Sequence, residues 1–210
     1  MNPIKKLYQK KVGNAFVELS KYIRPGGIVF LGDSITEFFR VNEFFPGVYV
    51  INRGIGSDTT DGVLNRLSES VYELSPSKVF ILIGTNDIAE KKSEQHIIGN
   101  IWEIITRIRE NCPETKIYLE SIYPVYSERN KKIKRHYLRA RNNEKICSIN
   151  EKLRLMADEK GITYIDVFSH LVNEEGNIHL DYTVEGLHLT IRGYQKVAEV
   201  LMPYVMGDNI

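Results

Sequence analysis

The sequence predicts an α/β domain in which a parallel sheet of five strands carries helices on both faces. Three observations lead there. Short runs of strand-forming residues alternate with longer segments whose apolar residues recur every three or four positions. The run Val79-Phe80-Ile81-Leu82-Ile83 is apolar throughout, as a parallel strand covered on both faces should be. Successive runs then end on small or polar residues, where an open α/β sheet collects its ligands beyond the carboxyl ends of its strands.

The first segment places Val12, Ala15, Phe16, Leu19 and Ile23 on one helical face and breaks at Pro25-Gly26-Gly27. A strand over Ile28 to Leu31 follows, then Gly32-Asp33-Ser34. Val48 to Ile51 reads as the second strand, running into Asn52-Arg53-Gly54. Val63, Leu67, Val71 and Leu74 mark an amphipathic helix closed by Pro76. The third strand, Val79 to Ile83, delivers Gly84-Thr85-Asn86-Asp87. Ile97, Ile101, Ile104 and Ile108 then form a wide helical stripe that ends before Pro113. Lys116 to Ile122 is the fourth strand. A helix bearing Ile146, Ile149, Leu153 and Met156 ends at Gly161, and Ile162 to Ile165 is the fifth strand. Thr190 is placed to cap a last helix containing Tyr194, Val197, Ala198 and Leu201. With no linker, repeat or low-complexity tract, residues 1–210 read as a single domain.

The totals exclude several classes. A chain of 210 residues with 42% hydrophobic residues and a formal net charge of +1 is not a dedicated nucleic-acid binder, whose footprint is clearly basic. No apolar run approaches the ~20 residues that span a bilayer. Met1 to Tyr8 lacks the apolar core of a signal peptide, which makes a cytoplasmic protein the expectation. Cys112 and Cys147 are too few for a disulfide scaffold or a zinc site and read as inert thiols.

Chemistry concentrates at Ser34, Gly54, Asn86 and His188. Taken alone, Ser34 suits a helix N-cap. Together the four supply what acyl transfer requires: a hydroxyl, a base, and donors for an oxyanion. Ser34 is the candidate nucleophile and His188 the base. The N–H groups of Ser34 and Gly54 and the amide of Asn86 are the candidate oxyanion donors.

These blocks resemble the GDSL or SGNH hydrolase family of serine esterases. Gly32-Asp33-Ser34-Ile35-Thr36, Asn52-Arg53-Gly54, Gly84-Thr85-Asn86-Asp87 and Gly186-Leu187-His188-Leu189-Thr190 match its four blocks in order. The branch of platelet-activating-factor acetylhydrolase-like and bacterial lysophospholipase-like esterases is most similar. The resemblance implies a flavodoxin-like three-layer α/β/α sandwich with no metal or organic cofactor, and its branch includes homodimers. The family carries aspartate three residues before the histidine. Here that position holds Glu185, a carboxylate one methylene longer, with Asp181 as its competitor.

The expected activity is cofactor-independent hydrolysis of small-molecule esters through an acyl-enzyme on Ser34. Short acyl groups, acetyl above all, on a carbohydrate or lipid alcohol are the expected substrates. The alternatives are a lysophospholipase- or thioesterase-like acyl hydrolase and a non-catalytic binding protein with a decayed triad. Tyr123, Tyr126 and Tyr182 are candidates to line a sugar site. Asp33 and Asp87 read as structural acids at strand-to-helix turns, and Asp58 as a helix cap. His96 and His136 read as solvated, and His170 and His179 lack partners at metal-ligand spacing. The basic run from Arg129 to Arg141 reads as a solvated connection, with a mobile lid for anionic substrates as the alternative.

Overall fold

A computed structural model describes residues 3–128, 130, 131, 133 and 135–207. Five parallel strands, β1 (Ile28–Gly32), β2 (Val50–Gly54), β3 (Lys78–Leu82), β4 (Lys116–Glu120) and β5 (Thr163–Ile165), lie in the order β2-β1-β3-β4-β5. The order reverses between β1 and β3, and in doubly wound sheets the crevice for a ligand opens at such a point. Every residue of β1 is buried, so both faces of the sheet are covered, as the unbroken apolar runs require. In-register pairing aligns Phe30 with Phe80 and Phe80 with Tyr118. Their rings stack across three strands, with centroids 4.9 and 4.7 Å apart.

The longer helices are α1 (Pro3–Ser20), α7 (Glu94–Asn111), α9 (Asn143–Lys160) and α11 (Ile191–Met206). Gly161, at φ 64°, ends α9 as expected, and the Thr190 side chain caps α11 by accepting from the Gly193 N–H. Short helices follow the strand ends: α2 (Ser34–Phe38), α3 (Val41–Phe44), α6 (Thr85–Ala89), α8 (Arg135–Leu138) and α10 (Phe168–Leu171).

The helix expected between Val63 and Leu74 is instead α4 (Thr60–Leu64), α5 (Leu67–Ser70) and a 3₁₀ turn at Tyr72–Leu74. Val63, Leu67, Val71 and Leu74 are all buried, so their spacing reports burial correctly but not continuity. The break falls at Arg66, whose side chain turns inward. Its guanidinium donates to the carbonyls of Gly32 and Arg53 and to Ser70 Oγ, and it pairs with Asp58 at 2.7 Å. Asp58 is therefore the partner of Arg66 and not a cap; Thr59 caps α4. The second strand also lies two residues later than expected, starting at Val50.

Candidate active site

β1 delivers the nucleophile candidate through a turn that only glycine allows. A Cβ on Gly32 would lie 2.3 Å from the Leu82 carbonyl oxygen and 2.2 Å from Thr36 Oγ1. Asp33 then caps α2, its Oδ1 accepting from the Ile35 N–H at 2.9 Å, which is the structural role expected of it. Ser34 follows with its Oγ 2.9 Å from His188 Nε2. His188 Nδ1 is hydrogen-bonded to Glu185 Oε1, which also accepts the His188 N–H at 3.2 Å.

A tight turn holds these last two residues. The N–H of Val184 and the Thr183 hydroxyl both donate to the His188 carbonyl, and the Gly186 N–H donates back to Thr183 Oγ1. Gly186 stands at φ 105°, a conformation that favours glycine. Glu185 is buried beside the imidazole. Asp181 is exposed and faces Arg192, so the competitor does not reach His188.

The candidate oxyanion donors do not all stand free. The Gly54 N–H is already bonded to Asn52 Oδ1 at 2.8 Å. Gly54 serves close packing instead, because a Cβ there would sit 2.1 Å from the Glu37 backbone nitrogen of α2. Three residues on, Ser57 lines the same cavity as Ser34, Asn86 and His188. It stands at φ 61°, and its N–H has no hydrogen-bond partner among the described residues. The sequence holds no signal for it, because every residue has an N–H and only the loop's path brings Ser57 to the cavity.

Asn86 is in place. Its Nδ2 donates to the Asp58 carbonyl at 2.8 Å and, more weakly, to Asp33 Oδ2 at 3.3 Å, the partner an oxyanion would replace, and its Oδ1 accepts from Arg141 Nη2 at 2.7 Å. Asp87 accepts from the N–H and hydroxyl of Thr60 and so ties the β2–α4 loop to α6. Burial pushes the Asp33 carboxyl up to about 7, against the opposing pull of the Ile35 N–H, Arg141 and His188.

Two cavities meet at His188. One, about 240 Å³, is lined by Ser34, Ser57, Asn86 and Leu187 and by the cationic Lys5 and Arg139. The other is a groove of about 970 Å³ bounded by Phe38, Tyr137, Val184, Leu189 and Ile191. Tyr123 and Tyr126 are buried, and Tyr182 lines a different cavity, so none of the expected sugar-site tyrosines borders either one.

Arg129, Lys132 and Lys134 lie outside the described residues. In the rest of that connection Lys131, His136 and Arg139 are exposed, as expected of a solvated stretch, while three other residues are buried. Ile133 and Leu138 pack against Gly186, the Tyr126 N–H donates to the Gly186 carbonyl, and Arg141 is buried. His96 is not simply solvated either: its Nε2 lies 3.0 Å from Asp61 Oδ2. Asp61, Asp87 and His96 are close enough together to hold a metal ion, but Lys92, Asn100 and Thr60 already engage the two carboxylates. Cys112 and Cys147 form no disulfide, and burial raises both thiols above their ordinary value.

A serine hydroxyl bonded to a histidine that is bonded to a buried carboxylate, at the carboxyl edge of a parallel sheet, defines a serine hydrolase. The family model described as GDSL-like lipase/acylhydrolase matches residues 30–196. The chain belongs to that family and is a serine ester hydrolase. It is 27% identical over 199 residues to the rat (Rattus norvegicus) platelet-activating factor acetylhydrolase IB subunit alpha2, covering 92% of this chain and 81% of that protein. A Streptococcus pneumonia structure, provisionally described as a platelet activating factor, superposes with a TM-score of 0.88 at 32% identity, covering 94% of this chain and 92% of that one. A GDSL-like lipase of Bacteroides thetaiotaomicron gives 0.80 at 26% identity, covering 92% and 97%. Among the described residues no helix is long and apolar enough to cross a membrane.

Proposed function

We propose that this enzyme removes short acyl groups, acetyl above all, from an apolar alcohol of lipid type through an acyl-enzyme on Ser34. The observation that carries this reading is the hydrogen-bonded line from Ser34 to His188 to Glu185, set where a small polar cavity meets a larger apolar groove. Ser34 Oγ attacks the ester carbonyl while His188 Nε2 takes its proton. Glu185 keeps the proton of the neutral imidazole on Nδ1, so that Nε2 is free to accept. The negative charge developing on the carbonyl oxygen is met by the N–H groups of Ser34 and Ser57 and by Asn86 Nδ2. His188 then protonates the departing alkoxide and activates water for deacylation.

The substrate half of the proposal follows from the direction of proton transfer. The leaving oxygen must face His188, which borders the apolar groove, while the acyl group lies with the oxyanion donors in the cavity of about 240 Å³. A small polar chamber favours a short acyl group. The walls of Phe38, Val184 and Ile191 favour a hydrocarbon alcohol over a carbohydrate. The name of the acetylhydrolase relatives agrees with the short acyl group.

The test is hydrolysis of p-nitrophenyl acetate, butyrate and octanoate, and of methyl and octyl acetate, by the protein and by Ser34→Ala. Turnover should fall by ~10³ or more in the variant. Rates should decline from acetate to octanoate and rise from the methyl to the octyl alcohol. Equal rates in the two proteins would remove the nucleophile, and preference for octanoate would point to a lysophospholipase-like enzyme.

A further inference from the structure

We propose that Arg141 is a positioning residue for the oxyanion hole, orienting and polarising the Asn86 amide through its carbonyl oxygen. Arg141 stands just before α9, far along the chain from the strand end it serves. It is 7% exposed, borders the cavity that holds Ser34 and Asn86, and four of its five N–H groups donate to described residues. Nη2 donates to Asn86 Oδ1 at 2.7 Å, Nε to Thr85 Oγ1 at 2.9 Å, and Nη1 to the Tyr137 and Leu138 carbonyls at 2.8 and 3.4 Å. One guanidinium thus spans two successive residues at the start of α6.

Two effects follow. A guanidinium has donors only, so the atom of Asn86 that faces it must be Oδ1. The amide cannot flip, and Nδ2 is held toward the Asp58 carbonyl and the Asp33 carboxylate, in a residue that lines the cavity. The contact is also charge-assisted. It draws electron density toward Oδ1 and leaves the Nδ2 hydrogens more positive, at the place where substrate charge develops. Burial lowers the Arg141 group to about 10, so it is still charged at neutral pH. The connection between β4 and α9 therefore clasps the machinery on both sides, with Arg141 on Asn86 and with Ile133 and Leu138 on the turn carrying Glu185 and His188.

This inference rests on the reading that Asn86 donates to the oxyanion, and a double-mutant cycle separates the two. With p-nitrophenyl acetate, Asn86→Ala should lower kcat by ~10²–10³; full activity there would end the reading itself. Arg141→Gln should cost part of that, about tenfold to a hundredfold in kcat with KM within about twofold. In the Asn86→Ala background the same change should cost less than about twofold, because the group it positions is gone. An equal loss in both backgrounds, or a loss confined to KM, would overturn the proposal. Should Arg141→Gln fail to fold, Arg141→Lys keeps the charge and much of the stem but cannot span Thr85 and Asn86 together. It should lower kcat by about fivefold with Asn86 present and not at all without it; no loss, or equal losses, would overturn the proposal.

Discussion

Glu185 carries a carboxylate on a longer arm than the aspartate of related sequences, and the turn that bears it absorbs the difference. Thr183 and Val184 both donate to the His188 carbonyl, closing the turn so that one Glu185 oxygen meets Nδ1 and the backbone N–H of the same histidine. Neutralising that acid while keeping its shape should leave the imidazole without its tautomer control. Glu185→Gln is expected to lower kcat by ~10⁴, as loss of the acid does in other serine triads. Asp181→Asn, at an exposed residue whose carboxylate pairs with Arg192, should leave kcat unchanged in the same assay. Ser34, Asn86, Glu185 and His188 were legible in the sequence as candidates because each is marked by its polar side chain, and the structure brings the four together. Ser57 and Gly54 were not distinguishable there, since the contribution at issue is a backbone N–H.

At the scale of elements, the segment between β2 and β3 shows what periodicity can and cannot tell. Val63, Leu67, Val71 and Leu74 are buried whether the backbone is one helix or three short pieces, so the pattern alone could not reveal the break. The break exists because Arg66 leaves the helical path to satisfy the carbonyls at the ends of β1 and β2 and to neutralise Asp58. Burial pushes the Asp58 carboxyl up even with Arg66 alongside, so that carboxylate depends heavily on its partner. Arg66→Ala should therefore cost about 3–5 kcal/mol in urea unfolding, the usual penalty for stranding a buried charge. It should also depress kcat, because the loop that Arg66 anchors carries Ser57.

For the whole molecule, the alternation of strands and helices was readable, and with it the parallel sheet. The order β2-β1-β3-β4-β5 has no local signature, because it depends on which side of β1 each crossover returns. Buried acids behind the site give the fold a pH dependence of definite sign. Glu120 is buried with the Tyr123 hydroxyl as its carboxyl's partner among the described residues, and burial raises it from 4.5 to about 7. Between those values the folded state holds a proton that the unfolded chain has released, so stability falls as pH rises through the window, by up to about 1.4 kcal/mol per pH unit. Asp33 acts in the same direction. Glu120→Gln keeps an acceptor for Tyr123 and should flatten part of this slope when thermal midpoints are compared from pH 5 to 8.

The hydrogen bond between Ser34 and His188 joins residues 154 apart in the chain. The groups around it come from the ends of β1, β2, β3 and the segment after β5. During folding, no early cluster of neighbouring elements can hold this set, because closing so long a loop precedes any reward from the contact. A chain halted before residue 185 lacks both the base and its acid, however well its sheet has formed. Recovered turnover on refolding thus reports the last long-range closure and lags behind signals of helix and strand formation.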